Sequence, residues 1–163
     1  MTHKTLKIAL YQPDIPQNFG SMIRLSGCLG ISLDVIEPCG FLLDDRKIRQ
    51  SAMDYKEKID ITRHVNWGNF LDHYQRKEEK CRRIILMTTK TDEQYTDFKF
   101  QEDDILLAGR ESSGVPDNVH NNVDARIGIP MTEGFRSLNI VNATAMIVGE
   151  ALRQTQWQTK RKD

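Results

Sequence analysis

The chain has 163 residues, 39% hydrophobic and 28% charged, and its 23 basic and 23 acidic side chains cancel to a net charge of zero. That length holds one domain with a buried core. No apolar run nears the roughly 20 residues a bilayer-spanning helix needs, and balanced charge excludes a protein that coats nucleic acid by neutralising many phosphates.

The predicted elements alternate along the chain. The opening MTHKTLKIALYQPDI has only a short apolar stretch, so Leu6 to Gln12 reads as a first strand rather than a leader. A helix follows over Asn18 to Leu29, with Phe19, Met22, Ile23 and Leu29 on an apolar stripe and Gly30 as its stop. Leu33 to Pro38 is a second strand, and Asp44 to Met53 and Trp67 to Gln75 are helix candidates. Strands are expected at Arg82 to Thr89, Asp104 to Gly109 and Ala125 to Met131, with helices at Pro116 to Asn121 and Leu138 to Gln156. Each strand is a short, nearly continuous apolar run, the pattern of strands buried on both faces of a parallel sheet. The order implies one α/β domain with a mostly parallel sheet and helices on both faces.

Cys28, Cys39 and Cys81 are odd in number, lack CxxC pairing and sit in apolar surroundings, so they read as reduced, buried thiols of a cytoplasmic protein. The four histidines show no HExxH spacing, and no metal is expected. Basic residues cluster in DDRKIRQ (Arg46, Lys47, Arg49), in YQRKEEKCRR and in the tail TKRKD; a solvated face is the ordinary reading of each.

Ligands of such sheets gather beyond the carboxyl ends of the strands. The loops there are PDIPQNFG, TTKTDEQ, GRESSGVP and TEGFRS. GRESSGVP lacks the Lys-Ser/Thr ending of a P-loop and the GxGxxG of a dinucleotide fold, and Glu111 would repel a triphosphate. Asn18, at a helix start, reads as a cap before it reads as a ligand. Arg136, Ser137, Asn139 and Asn142 lie between an apolar strand end and an apolar helix. Capping explains one of these asparagines but hardly the whole set. The helix after them carries two apolar rows, Val141, Ala145, Val148, Leu152 and Ile140, Ala143, Ile147, Ala151, which suit either deep core or a subunit interface.

Together these segments resemble the three motifs of the SPOUT (α/β-knot) RNA methyltransferases, closest to the tRNA wobble-nucleotide ribose 2′-O-methyltransferases. LYQPDIPQNFGSMIRLSGCLGISLDVIEPCGF is similar to the first motif region, DYKEKIDITRH to the middle segment, LLAGRESSGVP to the second motif and IGIPMTEGFRSLNIVNATAMIVGEALRQ to the third. The resemblance implies a parallel sheet with a C-terminal deep trefoil knot, a homodimer, S-adenosyl-L-methionine as cofactor and the tRNA anticodon stem-loop as substrate. It implies that Met87, Gly109, Ile129, Ser137 and Leu138 hold the cofactor. Arg24, Glu111 and Asn139 match its catalytic positions, with Arg24 as base or as a donor to the ribose hydroxyl, and Arg136, Asn18 and Arg46 its RNA-facing ones. Arg110 stands where the family's second motif has proline, Phe135 where a serine often precedes the arginine, and Gly149 where a tyrosine occurs. The rival readings are methylation of another tRNA or rRNA nucleotide, a non-catalytic RNA-binding module on the same fold, and a flavodoxin-like nucleotide-binding domain.

Overall fold

The computed structural model describes all residues except 1–4, 45, 47–49, 51–58, 77–80 and 158–163. Six strands, β1 (Lys7–Tyr11), β2 (Ser32–Ile36), β3 (Ile61–His64), β4 (Ile84–Met87), β5 (Ile105–Ala108) and β6 (Ala125–Ile127), form one sheet in the order β3-β2-β1-β5-β4-β6. Every pairing between them is parallel. Helices whose bounds are described include α1 (Pro16–Leu29), α2 (Trp67–Leu71), α3 (Asp117–His120) and α4 (Ile140–Leu152); α2 runs into a π-helical turn at Asp72–Arg76 and α4 into another at Arg153–Trp157.

The period-2 geometry of strands sorts the apolar side chains into two layers. Ile8, Leu10, Leu33, Val35, Ile85 and Leu106 pack with Phe19, Met22 and Ile23 of α1 and Ile147, Val148, Ala151 and Leu152 of α4. Ala9, Tyr11, Ile36, Ile84, Leu86, Ile105 and Leu107 pack on the other face with Phe70 and Tyr74 of the α2 segment and Val119 of α3. Helix α1 starts on Pro16, whose missing N–H is harmless in a first turn, and ends on Gly30 at φ 66, whose N–H returns to the helix carbonyls.

Two expectations need correction. No strand was expected over Ile61–His64, because an edge strand needs an apolar set on only part of its surface: Ile61 and Thr62 are half-buried, Arg63 is exposed and only His64 is buried. The cysteines are free, but Cys28 and Cys81 are exposed and Cys39 is half-buried, so none is a core thiol. Burial first, and the charge of Glu37 second, push the Cys39 thiol up to about 11 against the opposing pull of Arg63. In the helix candidate Asp44 to Met53, Arg46 and Gln50 are helical, Asp44 is not, and the other residues lie outside those described.

On the α2 face a carboxylate is fully buried at mid-sheet. Asp34 accepts from the Tyr74 hydroxyl, lies 2.9 Å from His64 Nε2 and pairs with Lys7 Nζ at 3.1 Å, while Lys7 also donates to Ser32 Oγ at 2.8 Å. Burial works to raise the Asp34 pKa, but the His64 hydrogen bond, the Lys7 charge and the Tyr74 hydroxyl outweigh it and hold the carboxyl below its ordinary value. The group ties β1, β2, β3 and the π-helical turn after α2 together. Asp34→Ala should therefore destabilise the fold by roughly 3–5 kcal/mol, because Lys7 is left as an uncompensated buried charge. Since the folded pKa is depressed, the stabilisation is complete above the ordinary aspartate value of 3.8 and is lost as pH falls through the folded value. Urea melts across acid pH should show that loss in the native chain and a flatter profile in Asp34→Ala.

Candidate active site

Because all six strands run the same way, the loops leaving β1, β4, β5 and β6 emerge at one edge of the sheet. There they enclose a cleft of about 650 Å³. Its walls come from the loop after β4 (Thr88, Thr89, Lys90), the loop after β5 (Gly109 to Val115), the segment after β6 (Gly128, Ile129, Met131), the approach to α4 (Ser137 to Ile140), and Ile15 and Asn18 at the head of α1.

The loop after β5 is a closed backbone ring. Arg110 N–H donates to Gly114 O at 3.0 Å and Gly114 N–H returns to Arg110 O at 2.9 Å. A Cβ on Gly109 would lie 2.8 Å from Gly114 C, and Gly114 itself sits at φ 65, so the ring closes only with glycine at both ends. Arg110, placed where the family pattern has proline, is part of the cleft wall; its guanidinium donates to Gln12 Oε1 and lies 5.3 Å from the Tyr11 ring centroid. That contact steadies Gln12, a non-glycine residue at φ 43, a conformation that costs on the order of 1 kcal/mol.

A side-chain relay runs from this ring to α4. Ser112 Oγ donates to Asp14 Oδ2. Glu111, beside Ser112 in the same ring, lines the cleft together with Asn18. Asn139 Nδ2 donates to Asn18 Oδ1 at 3.2 Å, while Asn139 Oδ1 accepts from the N–H groups of Val141 and Asn142 at 2.8 and 3.3 Å. Burial, then the hydrogen bond with Asp14, raises the Glu111 carboxyl above its ordinary range. The Glu111 hydrogen bond holds Asp14 below its own, against the smaller effect of burial.

Met87, Gly109, Ile129, Ser137 and Leu138 all line the cleft, and so do Asn18, Glu111 and Asn139. Arg24 is exposed on α1, and Arg136 and Arg46 are exposed on their loop and helix segment; none of the three is part of the lining. Asn18 does not cap α1: the N-cap is Ile15, without a side-chain bond, and the Asn18 amide is committed to the relay instead. Asn139 is the cap of α4 and a bridge at once, whereas Asn142 is exposed and contributes its backbone. Sequence reasoning missed Lys90, His120 and Thr144 as cleft residues. Lys90 was reachable, since TTKTDEQ follows a strand; His120 and Thr144 depend on how α3 and α4 pack. Thr144 is buried, and its Oγ1 has no hydrogen-bond partner among the described residues. No group of three or more metal-ligating side chains occurs among the described residues.

Comparison with known proteins gives four findings. A family model described as SpoU rRNA Methylase family matches residues 5–149. A protein of Beijerinckia indica named tRNA (cytidine(34)-2'-O)-methyltransferase is 51% identical over 147 residues, 90% of each chain. A solved structure that gives insights into the 2-OH methylation of C/U34 on tRNA superposes with a TM-score of 0.83 at 34% identity, covering 97% of this chain and 99% of the other. A further structure, the SpoU methyltransferase AviRb from Streptomyces viridochromogenes in complex with the cofactor AdoMet, gives a TM-score of 0.81 at 27% identity over 94% of this chain and 62% of its own.

The double duty of Asn139 can be separated by substitution. Asn139→Asp keeps the cap but removes the donor to Asn18; Asn139→Ala removes both. Loss of the cap should cost about 1 kcal/mol, read as a fall in Tm of roughly 2–4 °C for a chain of this size. Asn139→Asp should melt close to the native chain. Equal melting of all three would remove the cap from the account of α4.

Proposed function

Since the chain belongs to the SpoU rRNA methylase family, we propose that it transfers a methyl group from S-adenosylmethionine to the ribose 2′-hydroxyl of the anticodon wobble nucleotide of tRNA, a cytidine or modified uridine. The observation that carries the reading is the convergence of Met87, Gly109, Ile129, Ser137 and Leu138 on one cleft. These residues fit the cofactor. Apolar side chains of Met87, Ile129 and Leu138 can cover an aromatic ring, the side-chain-free backbone at Gly109 can read its edge, and the Thr144 hydroxyl, without a hydrogen-bond partner among the described residues, offers one more polar contact. The cofactor supplies an already activated methyl on a sulfonium, so the chain has chiefly to bind, align and exclude water.

The alignment falls to the residues around the cleft mouth. Glu111 and Asn139 fix the loop after β5 against the first turn of α4, and Ser137 sits on that boundary. Arg24, exposed on α1, is assigned to the ribose hydroxyl and its neighbouring phosphate; a guanidinium offers five N–H donors and no acceptor, so its ordinary role is that of a donor. Arg136 and Arg46, exposed like Arg24, are assigned to RNA phosphates, with Asn18 at the rim of the cleft. The knotted C-terminal path belongs to the same reading, supported by the sheet order in which β4 lies between β5 and β6. A homodimer belongs to it too: α4 leaves Met146 42% exposed, and Ile15 and Leu138 at the cleft rim are 38% and 40% exposed, apolar surface suited to a second copy.

Incubation with labelled S-adenosylmethionine and total tRNA should place the label on the wobble ribose, and a solution mass near one chain's 18.8 kDa would remove the dimer. Binding of tRNA without label transfer would favour the non-catalytic module. Label at another nucleotide would favour a different RNA target. Arg24→Ala should abolish transfer while leaving cofactor affinity within a few-fold. Arg24→Lys keeps the charge but not the planar fork, and should fail as well if the fork holds hydroxyl and phosphate together.

A further inference from the structure

One aromatic ring stands apart from the packing of the fold. Phe135 is 75% exposed, and the next most open aromatic side chain among the described residues, Trp157, is 45% exposed. Phe19 pairs with Phe41, Trp67 with Phe70 and Phe98 with Phe100, whereas Phe135 belongs to neither core layer and meets no other ring among the described residues. Exposure by itself decides nothing, since single apolar side chains on a surface are ordinary. The way the ring is presented decides more. Phe135 N–H donates to Thr132 O at 3.2 Å, and Gly134 between them sits at φ 89. A bond from the fourth residue back to the first, with positive φ at the third, is a type II turn, and glycine is what allows it. Phe135 is therefore held out at the end of a closed turn.

That turn leads straight into the site. Thr132 to Asn139 are all exposed, and Ser137 and Leu138 form part of the cleft wall. From Phe135 to Ser137 the backbone reaches at most about 7 Å, and successive stacked bases are about 3.4 Å apart along one strand. The ring thus stands within about two base steps of the cleft. Arg136, between ring and cleft, is exposed and carries the charge a backbone phosphate takes; Glu133, across Gly134, offsets it.

We propose that Phe135 is a further substrate-binding residue of this site: its ring is a stacking platform for the base that flanks the methylated nucleotide in a single-stranded RNA loop. Its role rests on the tRNA methylation proposed above. Bases in a duplex are already stacked on each other, but those of a loop can splay out and lie on an aromatic side chain. The charge balance points the same way. The whole chain is neutral, and Glu133 lies close in sequence to Arg136, so phosphate neutralisation gives limited grip here, while stacking needs no charge. A second copy of the chain suits the ring less well, because charged residues are depleted from the cores of protein interfaces and this ring is bracketed by two.

The test measures binding of an anticodon stem-loop RNA to the whole protein, native or carrying Phe135→Ala, Phe135→Leu or Phe135→Tyr. The RNA is used intact or abasic on either side of the wobble nucleotide. Phe135→Ala should weaken binding roughly five- to a hundred-fold, the loss expected for one stacked base. Phe135→Leu, apolar but without a ring, should fail likewise, and Phe135→Tyr should bind as the native chain does. The slope of log Kd against log salt should stay native in all three, whereas Arg136→Ala should lower it by about one phosphate contact. One of the two abasic RNAs should bind the native protein weakly and lose nothing more with Phe135→Ala. Melting temperature and cofactor Kd should not move, since the ring lies outside both core layers and the cleft wall. Native affinity in Phe135→Ala and Phe135→Leu overturns the platform, and so do abasic losses that add in full to that of Phe135→Ala at both positions. A fall in solution mass with Phe135→Ala also overturns it, by making the ring a contact between copies. If the native protein methylates tRNA and these variants bind RNA as it does, the stacking role falls alone. If the native protein neither binds nor methylates RNA, the proposed reaction falls with it.

Discussion

The ladder between β1 and β5 is the constraint on which the rest of the molecule depends. These strands are distant in sequence yet pair in parallel from Lys7↔Ile105 to Leu10↔Ala108. Parallel pairing makes both strands release their loops at the same edge, one residue apart in register. The consequence is local and chemical: Gln12 receives Arg110, and Asp14 receives Ser112. Each of these contacts spans roughly a hundred residues of chain, and each follows from where two strands stop.

Much of this was legible in the sequence. Continuous apolar runs marked five of the six strands, since a strand covered on both faces must be apolar on both. β3 escaped because an edge strand can carry Thr62 and Arg63 on open positions and still be held by one neighbour. The order of strands was not legible, because hydrophobic pattern reports burial and is silent about which strand lies next to which. The exposed cysteines were misread for a related reason: apolar neighbours in sequence are not neighbours in space, and Cys28 sits on the outer side of a helix whose stripe is buried.

The site divides along the same line. Gly109, Ile129 and Ser137, which the family resemblance singled out, all lie in the cleft wall. Residues whose side chains reach another loop, Asn18 and Asn139, were named by the resemblance, but their contact with each other was not legible. Asn18 looked like a cap because helix-start asparagines usually are caps, yet Ile15 occupies the cap and Asn18 faces Asn139. The long side chains of Arg24, Arg46 and Arg136 stand in solvent outside the cleft, the place expected for groups whose partner is a polyanion.

The thiols offer a use that has nothing to do with catalysis. Cys28 lies on α1, in the layer above one face of the sheet, while Cys81 lies beside the π-helical turn of the opposite layer, its Sγ 3.1 Å from Gln75 O. Both are exposed, whereas Cys39, half-buried and with its pKa pushed up to about 11, stays protonated in neutral solution. Thiolate-seeking dyes or spin labels therefore discriminate against Cys39 without any mutation. The chain carries two native attachment points across its own sheet, a built-in molecular ruler for following how the two helical layers move when RNA arrives.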